Sequence, residues 1–319
     1  MLTDEKNILV TGGAGFIGSH ICASLVKQGY QVFMVDNLST GLRENIPKRV
    51  EFIHGDVGDP SFIQTLSKYR FSKIYHVAGQ SGGESSYDNP VYDLRSNTQS
   101  TLLLLGLCRE VGCNQFVFTS TFSVYGNVAA GSKARETTEA APNSFYAVGK
   151  LASEKYLRIY SEQFGVNSLV LRLPSIYGPG QNLEFLKQGI VSIYLGQAIN
   201  KESILVKGSP KRFRDLLHVS DIISFLEGFD FGHFKGFEIV NLCSGSATTV
   251  EEIINLIQRF LPHEVPVEYK GGTPGDVFGV LGDNGKALRD HNWSPQIRPD
   301  EGIRAMVGWA ASKSKGRSE

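Results

Sequence analysis

The sequence predicts a doubly wound α/β protein, in which a parallel sheet carries helices on both faces. Two observations predict this class: short apolar runs rich in β-branched residues recur along the chain, and segments of helical character separate them. Strands that alternate with helices form right-handed crossovers, which build a parallel sheet. The predicted strands are NILVTG (7–12), QVFMVD (31–36), VEFIHGD (50–56), KIYHVAG (73–79), QFVFTS (115–120) and SLVLRLP (168–174).

Three helices are the clearest of those between and after the strands. SFYAVGKLASEKYLRIYSEQFG (144–165) and TLLLLGLCREVG (101–112) have helical character, and the second is apolar on nearly every side. A helix of that kind is usually buried twice, so we expect it to contribute to a homodimer contact. TTVEEIINLIQRFL (248–261) should begin at Thr248 or Thr249, either of which can cap it.

The 319 residues are enough for about two domains at ~150 residues each. Near residue 175 the chain changes, because loops marked by glycine and proline begin to separate shorter elements. We therefore predict a first domain over 1–175, a smaller α/β substrate-binding lobe over 176–310, and a polar tail over 311–319. Some segments of the lobe should return to the first domain.

Composition excludes several classes of function. Lys+Arg and Asp+Glu each number 32, so charge gives no reason to expect nucleic acid or an anionic membrane as a partner. No apolar run approaches the ~18 residues of a membrane span, and no signal peptide is recognisable. The four cysteines form no CxxC pair, which favours reduced thiols, no metal site and a cytoplasmic location.

The glycine-rich loop VTGGAGFIGSH follows the first strand directly and opens a helix. Gly12 allows the tight turn, Gly15 lets backbone N–H groups approach a pyrophosphate, and Gly18 lets the helix pack closely on the strand. Phe16 and Ile17 belong to the same helix N-terminus. This context makes the loop a predicted dinucleotide site of the Rossmann type.

Asp36 ends the second strand and follows Gly18 by 18 residues. That is close to the ~20 residues expected for a carboxylate that binds a ribose 2′-hydroxyl. Since such a carboxylate repels a 2′-phosphate, NAD is favoured over NADP; the alternative is an ordinary turn residue. Asp56 is similarly placed after the third strand and could reach the adenine.

Hydroxyl side chains crowd the end of the fifth strand in FVFTSTFSVYGN, where Thr119, Ser120, Thr121 and Ser123 occur together. At the carboxyl edge of a parallel sheet, these groups would face a ligand rather than a core. Downstream, Tyr146 and Lys150 stand four residues apart and share one helix face. A phenol can accept a proton near neutrality only if its pKa falls by about 3 units, and neighbouring positive charges can cause this.

These motifs resemble those of the extended short-chain dehydrogenase/reductases, and within them the nucleotide-sugar 4-epimerases of the UDP-galactose/glucose type. The resemblance covers nearly the whole chain. The segments that carry it are TGGAGFIGSH, DNLSTG, HGDV, HVAGQSGGES, TSTFSVYG, YAVGK, RLPSIYGPG, FRDLLHVSDI and GDVFGVLGDNGKA.

The resemblance implies a role for each matching position. Tyr146 would be the base, Lys150 would lower its pKa and hold the nicotinamide ribose, and Thr121 would bond to the reacting sugar oxygen. The implied NAD contacts are the glycine-loop residues Gly12, Gly15, Phe16, Ile17 and Gly18, then Asp36, Asn37, Ser39, Thr40, Gly41, Asp56, Val57, Ala78, Gly79, Gln80, Asn97, Thr119, Tyr146, Lys150 and Pro174. The implied substrate contacts are Ser81, Thr121, Tyr146, Ser175, Asn182, Arg214, Asp276 and Val280.

The implied reaction is inversion at C4 of a nucleotide diphosphate hexose, with a UDP-sugar favoured, through a 4-keto intermediate. Dehydratases of the family carry an Asp-Glu pair after the position of Thr121, and decarboxylating relatives generally keep a glutamate there. This chain has Phe122 and Ser123 instead, which favours epimerisation. A dehydratase or ketoreductase on the same fold, and a non-catalytic NAD-binding sensor, are the alternatives.

The substrate lobe departs from the family pattern at two phosphate-binding positions. Ser175 replaces an asparagine, and Thr273 replaces the arginine of an R-x-G-D motif. Val280 falls where side-chain bulk admits or excludes an N-acetyl group, and Ser81 stands where the galactose type has lysine. The sugar and the nucleotide therefore stay open.

Overall fold

The computed structural model describes residues 6–129, 131–200, 203–272 and 278–315, with side chains up to residue 313. Two compact units make up this part of the chain. The first takes its residues from 1–124, 140–172 and 226–240, and the second from 125–139, 173–225 and 241–319, in each case as far as they are described. The chain thus passes between the units several times, because each unit is assembled from separate segments.

A seven-stranded sheet forms the centre of the first unit, in the order β3-β2-β1-β4-β5-β7-β11. The pairs β1–β2, β2–β3, β1–β4 and β4–β5 are all parallel. The doubly wound α/β prediction is therefore confirmed, and all six predicted strands form. The strands are β1 Asn7–Thr11, β2 Gln31–Asp36, β3 Val50–His54, β4 Lys73–His76, β5 Gln115–Thr121, β7 Asn167–Leu173 and β11 Phe237–Asn241.

Helices of the first unit cover this sheet. A five-residue π-helical stretch, Arg95–Gln99, joins α4 to α5 without a break. The apolar helix of the sequence is α5, and most of its leucines pack into a core with strand residues such as Leu9 and Phe116. The helices are α1 Phe16–Lys27, α2 Pro60–Leu66, α3 Gly83–Asp88, α4 Pro90–Leu94, α5 Ser100–Val111 and α6 Phe145–Phe164.

In its described residues, the second unit has three small sheets and its own core. β12, β10 and β8 form one sheet, β13 pairs with β9, and β14 pairs with β6. Its strands are β6 Lys133–Ala134, β8 Ser175–Tyr177, β9 Ile204–Lys207, β10 Phe213–His218, β12 Ala247–Thr249, β13 Val267–Lys270 and β14 Leu281–Gly282. The remaining helices are α7 Ile190–Asn200, α8 Val219–Gly228, α9 Val250–Phe260, α10 Gly285–His291 and α11 Pro299–Lys315.

Helix α9 shows how local sequence sets an element of the second unit. The Thr249 side chain accepts a hydrogen bond from the Glu252 backbone N–H (3.1 Å), and the Glu252 carboxylate accepts one from the Thr249 backbone N–H (2.7 Å). This reciprocal capping box satisfies two N–H groups that would otherwise lack helical partners. One face of α9, including Ile253 and Ile257, is buried in the core.

Cysteines Cys22, Cys108, Cys113 and Cys243 are free and buried. Within the described ranges, no helix is long and apolar enough to cross a membrane. Over the same ranges, no group of three or more His, Cys, Asp or Glu side chains is placed to hold a metal ion.

Candidate active site

The glycine loop lies where β1 meets α1, and its glycines are required by close packing. Gly12 has φ +69°, and a Cβ there would lie 2.6 Å from the Ala78 backbone nitrogen. A Cβ on Gly18 would collide with the Gly12 carbonyl oxygen. Helix α1 starts at Phe16 after Gly15, with no side chain capping it. The backbone N–H groups of its first turn are therefore free of a side-chain cap and suited to bind a phosphate, as the pyrophosphate of a dinucleotide requires.

Asp36 is fixed against this loop at the end of β2. One carboxylate oxygen accepts the Ala14 backbone N–H (3.0 Å), and the other accepts the Leu38 N–H (2.7 Å). A Cβ on Gly41 would lie 2.8 Å from the same carboxylate, so this glycine permits the close approach. Asp36 is thus both a turn residue and a neighbour of the glycine loop. In the same turn, the Asn37 side-chain oxygen accepts a hydrogen bond from the Ser39 backbone N–H (3.0 Å), and Thr40 is the next residue along the chain.

Asp56 lies at the next loop along this edge of the sheet. Its carboxylate accepts the Gly58 backbone N–H (2.8 Å) and pairs with Arg95 at 3.3 Å, while Val57 is buried. Arg95 belongs to the π-helical stretch, and the sequence showed no sign that it would reach Asp56. This loop is held to the helical layer by an ion pair.

The loop after β4 approaches the π-helical stretch closely. Gly79 has φ +152°, and a Cβ there would collide with Asn97 Oδ1 and lie 3.4 Å from Lys150 Nζ. Asn97 donates to the Gln80 carbonyl oxygen (3.0 Å), but its own buried Oδ1 has no hydrogen-bond partner among the described residues. A buried acceptor without a partner is costly, so this atom suits a ligand donor such as a ribose hydroxyl.

Tyr146 and Lys150 stand on the first two turns of α6. The helix begins after Ser144, whose side chain accepts the Ala147 backbone N–H (3.2 Å) and caps it. Both functional side chains are buried on one face of the helix. Lys150 Nζ donates to the Thr119 carbonyl oxygen (3.1 Å) and lies 4.7 Å above the Phe118 ring. Helix α6 is in this way tied to the end of β5.

The hydroxyl cluster at the end of β5 divides into separate roles. Thr121 lies close enough to Tyr146 for its hydroxyl to lower the pKa of the phenol, and Lys150 contacts the Thr119 carbonyl oxygen, so the predicted catalytic threonine, tyrosine and lysine meet in the first unit. Ser120 donates to the buried Glu154 carboxylate (2.5 Å), and Thr119 donates to the His76 carbonyl oxygen (3.3 Å). Successive side chains of a strand point to opposite faces, so alternation separates Ser120 from Thr121. Thr119 differs from Thr121 by its own hydrogen bond to His76.

Burial sets the charge states of the site. Burial raises the pKa of Tyr146 to about 12; the neighbouring Thr121 hydroxyl lowers this pKa, and the charge of Asp93 raises it. Burial lowers the pKa of Lys150 to about 8, against the charges of Asp93 and Glu154. The chain's own groups therefore do not produce the low phenol pKa expected from the sequence. Further positive charge is needed, of the kind that the nicotinamide ring of NAD+ carries.

Sequence analysis missed three polar residues around the site: Asp93, Glu154 and Arg172. Glu154 lies one helical turn after Lys150, so its position on the same face was a usable signal. Its carboxylate binds the Arg172 guanidinium at 2.6 Å and 3.0 Å. Asp93 and Arg172 come from α4 and β7, and no spacing in the sequence connects them to α6.

The predicted substrate contacts are divided between the units. Ser81, in the first unit, is exposed. In the second unit, Ser175 begins β8 directly after Pro174, and Asn182 Oδ1 accepts the Glu184 N–H (2.9 Å). The other predicted contacts are Arg214 in β10 and Val280 just before β14. Asp276 lies outside the described residues, as does Thr273, the position that departs from the family pattern.

Arg214 is the charged member of the predicted substrate contacts in the described part of the second unit. It donates to the Phe213 carbonyl oxygen (2.8 Å) within β10. Burial, together with the charge of Arg212, lowers the pKa of Arg214 to about 10. It stays protonated at neutral pH, and the combined positive charge of Arg212 and Arg214 favours an anionic ligand.

Known proteins resemble this chain along nearly all its length. A chain from Methanocaldococcus jannaschii named as a putative UDP-glucose 4-epimerase is 30% identical over 97% of this chain and 99% of its own. UDP-glucuronic acid decarboxylase 1 of Arabidopsis thaliana is 32% identical over 94% of this chain and 68% of its own. The crystal structure of Thermus thermophilus UDP-glucose 4-epimerase in complex with NAD superposes with a TM-score of 0.87 at 32% identity, over 95% of this chain and 98% of that one.

The profile of the NAD dependent epimerase/dehydratase family matches residues 8–227. This range contains the glycine loop, Asp36, the end of β5 and the first turns of α6. The chain therefore belongs to the NAD-dependent epimerase/dehydratase family, whose cofactor is NAD.

Proposed function

We propose that this protein is an NAD-dependent epimerase that inverts C4 of a nucleotide diphosphate hexose, with a UDP-sugar as its substrate. The observation that carries the proposal is the meeting of Thr121, Tyr146 and Lys150 beside the Gly79 loop. All three are buried, so a reaction there proceeds away from bulk water. Relatives with this activity in their names support the same assignment.

Each of the three side chains has one task in this proposal. Thr121 holds the C4 hydroxyl of the sugar by a hydrogen bond, and the Tyr146 oxygen takes its proton. The Lys150 ammonium favours the phenolate that this transfer requires. Bound NAD supplies the hydride chemistry at C4 in both directions. The 4-keto sugar would then turn over, C4 would regain its hydrogen on the opposite face, and Tyr146 would return the proton to the C4 oxygen, so no net oxidation occurs.

A dehydratase or decarboxylase is the second candidate, since relatives include UDP-glucuronic acid decarboxylases. Elimination of water needs a general acid and base beyond the tyrosine. The positions after Thr121 hold Phe122, which is buried, and Ser123, whose backbone N–H donates to Thr121 Oγ1 (3.1 Å). Neither side chain can act as such an acid, and this favours epimerisation over elimination.

The deciding experiment supplies the purified protein with UDP-, dTDP-, GDP- and CDP-hexoses and follows the C4 configuration by NMR. An epimerase interconverts the two C4 isomers with no added cofactor. A ketoreductase consumes added NADH, a dehydratase releases water and gives a 4-keto-6-deoxy sugar, and a binding sensor leaves every sugar unchanged. Any of these last three results would overturn the proposal.

A Tyr146→Phe substitution tests the assignment of the base. We expect it to leave bound NAD and the fold in place while turnover falls by about 10²- to 10⁴-fold, the usual contribution of a general base. Tyr156→Phe, on the same helix, is the matched control and should keep its activity. An unchanged rate in Tyr146→Phe would show that another group moves the proton.

We propose substrate contacts in each unit. Arg214 would bind the diphosphate, because its guanidinium is cationic and part of a basic pair. The further proposed contacts are Ser81, Ser175, Asn182, Asp276 and Val280.

We also propose that the protein is a homodimer through exposed apolar side chains of the first unit. Most leucines of α5 pack into the core of this unit, so the exposed apolar surface lies on other helices. Val91 and Leu94 on α4 are 75% and 56% exposed, and Phe145 and Val148 on α6 are 48% and 52% exposed. Light scattering should give twice the 35.0 kDa chain mass, and a Val91→Asp, Leu94→Asp variant should give the monomer.

A further inference from the structure

Asp93 is a buried carboxyl group that the proposed mechanism does not use. It stands on α4 and is 1% exposed. Its Oδ1 accepts a hydrogen bond from Asn97 Nδ2 (3.1 Å). Its Oδ2 lies 3.5 Å from the position that a Cβ would take on Gly149. Because Gly149 immediately precedes Lys150, this carboxyl group faces the helical turn that carries the lysine.

Lys150 needs negative charge near it, since a buried ammonium group is costly unless it is compensated. Two carboxyl groups act on it through their charge: Asp93 from α4 and Glu154 from α6 itself. His76, on β4, also lies within electrostatic range. Burial holds the pKa of His76 well below its usual value, so this ring is neutral at pH 7. Tyr146 is a neutral phenol at that pH.

The two carboxyl groups are not equivalent, because Glu154 is already occupied by a cation. It binds the Arg172 guanidinium at 2.6 Å and 3.0 Å and accepts the Ser120 hydroxyl at 2.5 Å. The side-chain donor to Asp93 is the neutral amide of Asn97. The charge of Asp93 is therefore the one that can act on Lys150 without being cancelled by an arginine.

We propose that Asp93 is a positioning residue whose carboxylate is the counterion that keeps Lys150 protonated beside Tyr146. This inference deepens the proposed function and rests on it for its kinetic consequences. Burial raises the pKa of Asp93 to about 6, and the Lys150 charge and the Asn97 hydrogen bond oppose the rise. With the pKa of Lys150 at about 8, both partners are charged between about pH 6 and pH 8. The site is then set for catalysis near neutrality.

The direct test compares wild type with Asp93→Asn, in which the asparagine oxygen can still accept the Asn97 hydrogen bond. Protein labelled with ¹³C-lysine, with its dinucleotide bound as purified, is titrated by NMR. The Lys150 Cε signal is assigned by its loss in Lys150→Met. Removing an adjacent opposite charge should lower the Lys150 midpoint by about one to three pH units. An unchanged or higher midpoint would overturn the proposal.

A reciprocal measurement covers the case in which Asp93→Asn does not fold. In Lys150→Met, the Asp93 carboxyl signal should titrate above the wild-type value of about 6, because the lysine charge that lowers it is gone. A midpoint that stays in place would contradict the pairing. Glu110→Gln removes an exposed carboxylate from α5 and should change neither titration.

A kinetic measurement forms the part of the test that depends on the proposed function. In Asp93→Asn, the alkaline limb of the kcat profile should move to lower pH together with the Lys150 midpoint, whereas Glu110→Gln keeps the wild-type profile. If the alkaline limb of the kcat profile stays in place while the Lys150 titration midpoint moves, the lysine charge does not control turnover. If no sugar nucleotide is turned over at all, the proposed function fails, and the titrations still decide the role of Asp93.

Discussion

Two buried cations of the first unit, Lys150 and Arg172, are stabilised in different ways. Their exposures are 3% and 4%. Arg172 forms a short bidentate ion pair with Glu154, which also accepts the Ser120 hydroxyl. Lys150 donates to the Thr119 carbonyl oxygen and lies above the Phe118 ring. Its carboxyl neighbours act on it through their charge.

This difference separates a structural ion pair from a group prepared for chemistry. A guanidinium in a bidentate pair is held in one charge state and one geometry. Burial lowers the pKa of the Lys150 ammonium group to about 8. Its protonation state can therefore respond to a ligand or to a neighbouring proton. The Arg172 pair therefore holds β7 and α6 together, and Lys150 remains available to the site.

The largest expected effect is on turnover, in Lys150→Met. We expect kcat to fall by about 10²- to 10⁴-fold, since the phenolate of Tyr146 loses the positive charge of Lys150 on the same helix face. Unfolding should stay cooperative, with no loss of stability at pH 7, because a desolvated ammonium is removed. Lys155→Met, an exposed position on the same helix, should change neither kcat nor stability. A Lys150→Met protein that unfolds at low denaturant concentration would contradict this prediction, because it would show that Lys150 stabilises the fold as Arg172 does.

Arg172→Met should show the opposite behaviour. The free energy of unfolding, measured by urea denaturation, should fall by about 3 to 5 kcal/mol, because Glu154 is left buried and unpaired. Replacing both partners, as in Arg172→Met with Glu154→Leu, should restore most of the stability, since no buried charge remains. A double variant as unstable as the single one would mean that the arginine stabilises the unit by packing alone.

The pH dependence of stability sharpens the comparison further. The pKa of Lys150 lies near 8 in the folded protein, below its ordinary 10.5, so over this range the unfolded chain binds the extra proton. Stability of wild type relative to Lys150→Met should therefore rise with pH from about 8 to 10.5, by about 3 kcal/mol in total. Arg172 should contribute no such slope. Denaturation of NAD-free protein at several pH values checks this, and a constant difference would contradict it.

The smallest effect is expected in the second unit, at the cap of α9. Thr249→Ala removes the side-chain acceptor of the Glu252 N–H and should cost about 1 kcal/mol of unfolding free energy. Turnover should be unchanged, since this cap is part of neither cation's surroundings. A large drop in kcat would show that α9 contributes to the site.

Much of the first unit could be predicted because its signals are local. Strand β1, the tight turn at Gly12 and the start of α1 follow one another along the chain, and backbone sterics with hydrogen bonding require that arrangement. The spacing of Tyr146 and Lys150 likewise requires one helix face. The fold class and NAD therefore followed from sequence pattern, and the family comparison agrees with both.

Only the tertiary structure decided which polar groups surround Lys150. Asp93 and Arg172 come from elements that are distant along the chain, and chain folding alone brings them to α6. It also decided the direction of the Tyr146 pKa shift: burial raises this pKa, whereas the sequence predicted that neighbouring positive charges would lower it. Desolvation and charge depend on distances in space, which periodicity and spacing do not contain. The sequence thus determined where the chemical groups stand on their own elements, and packing determined their charge.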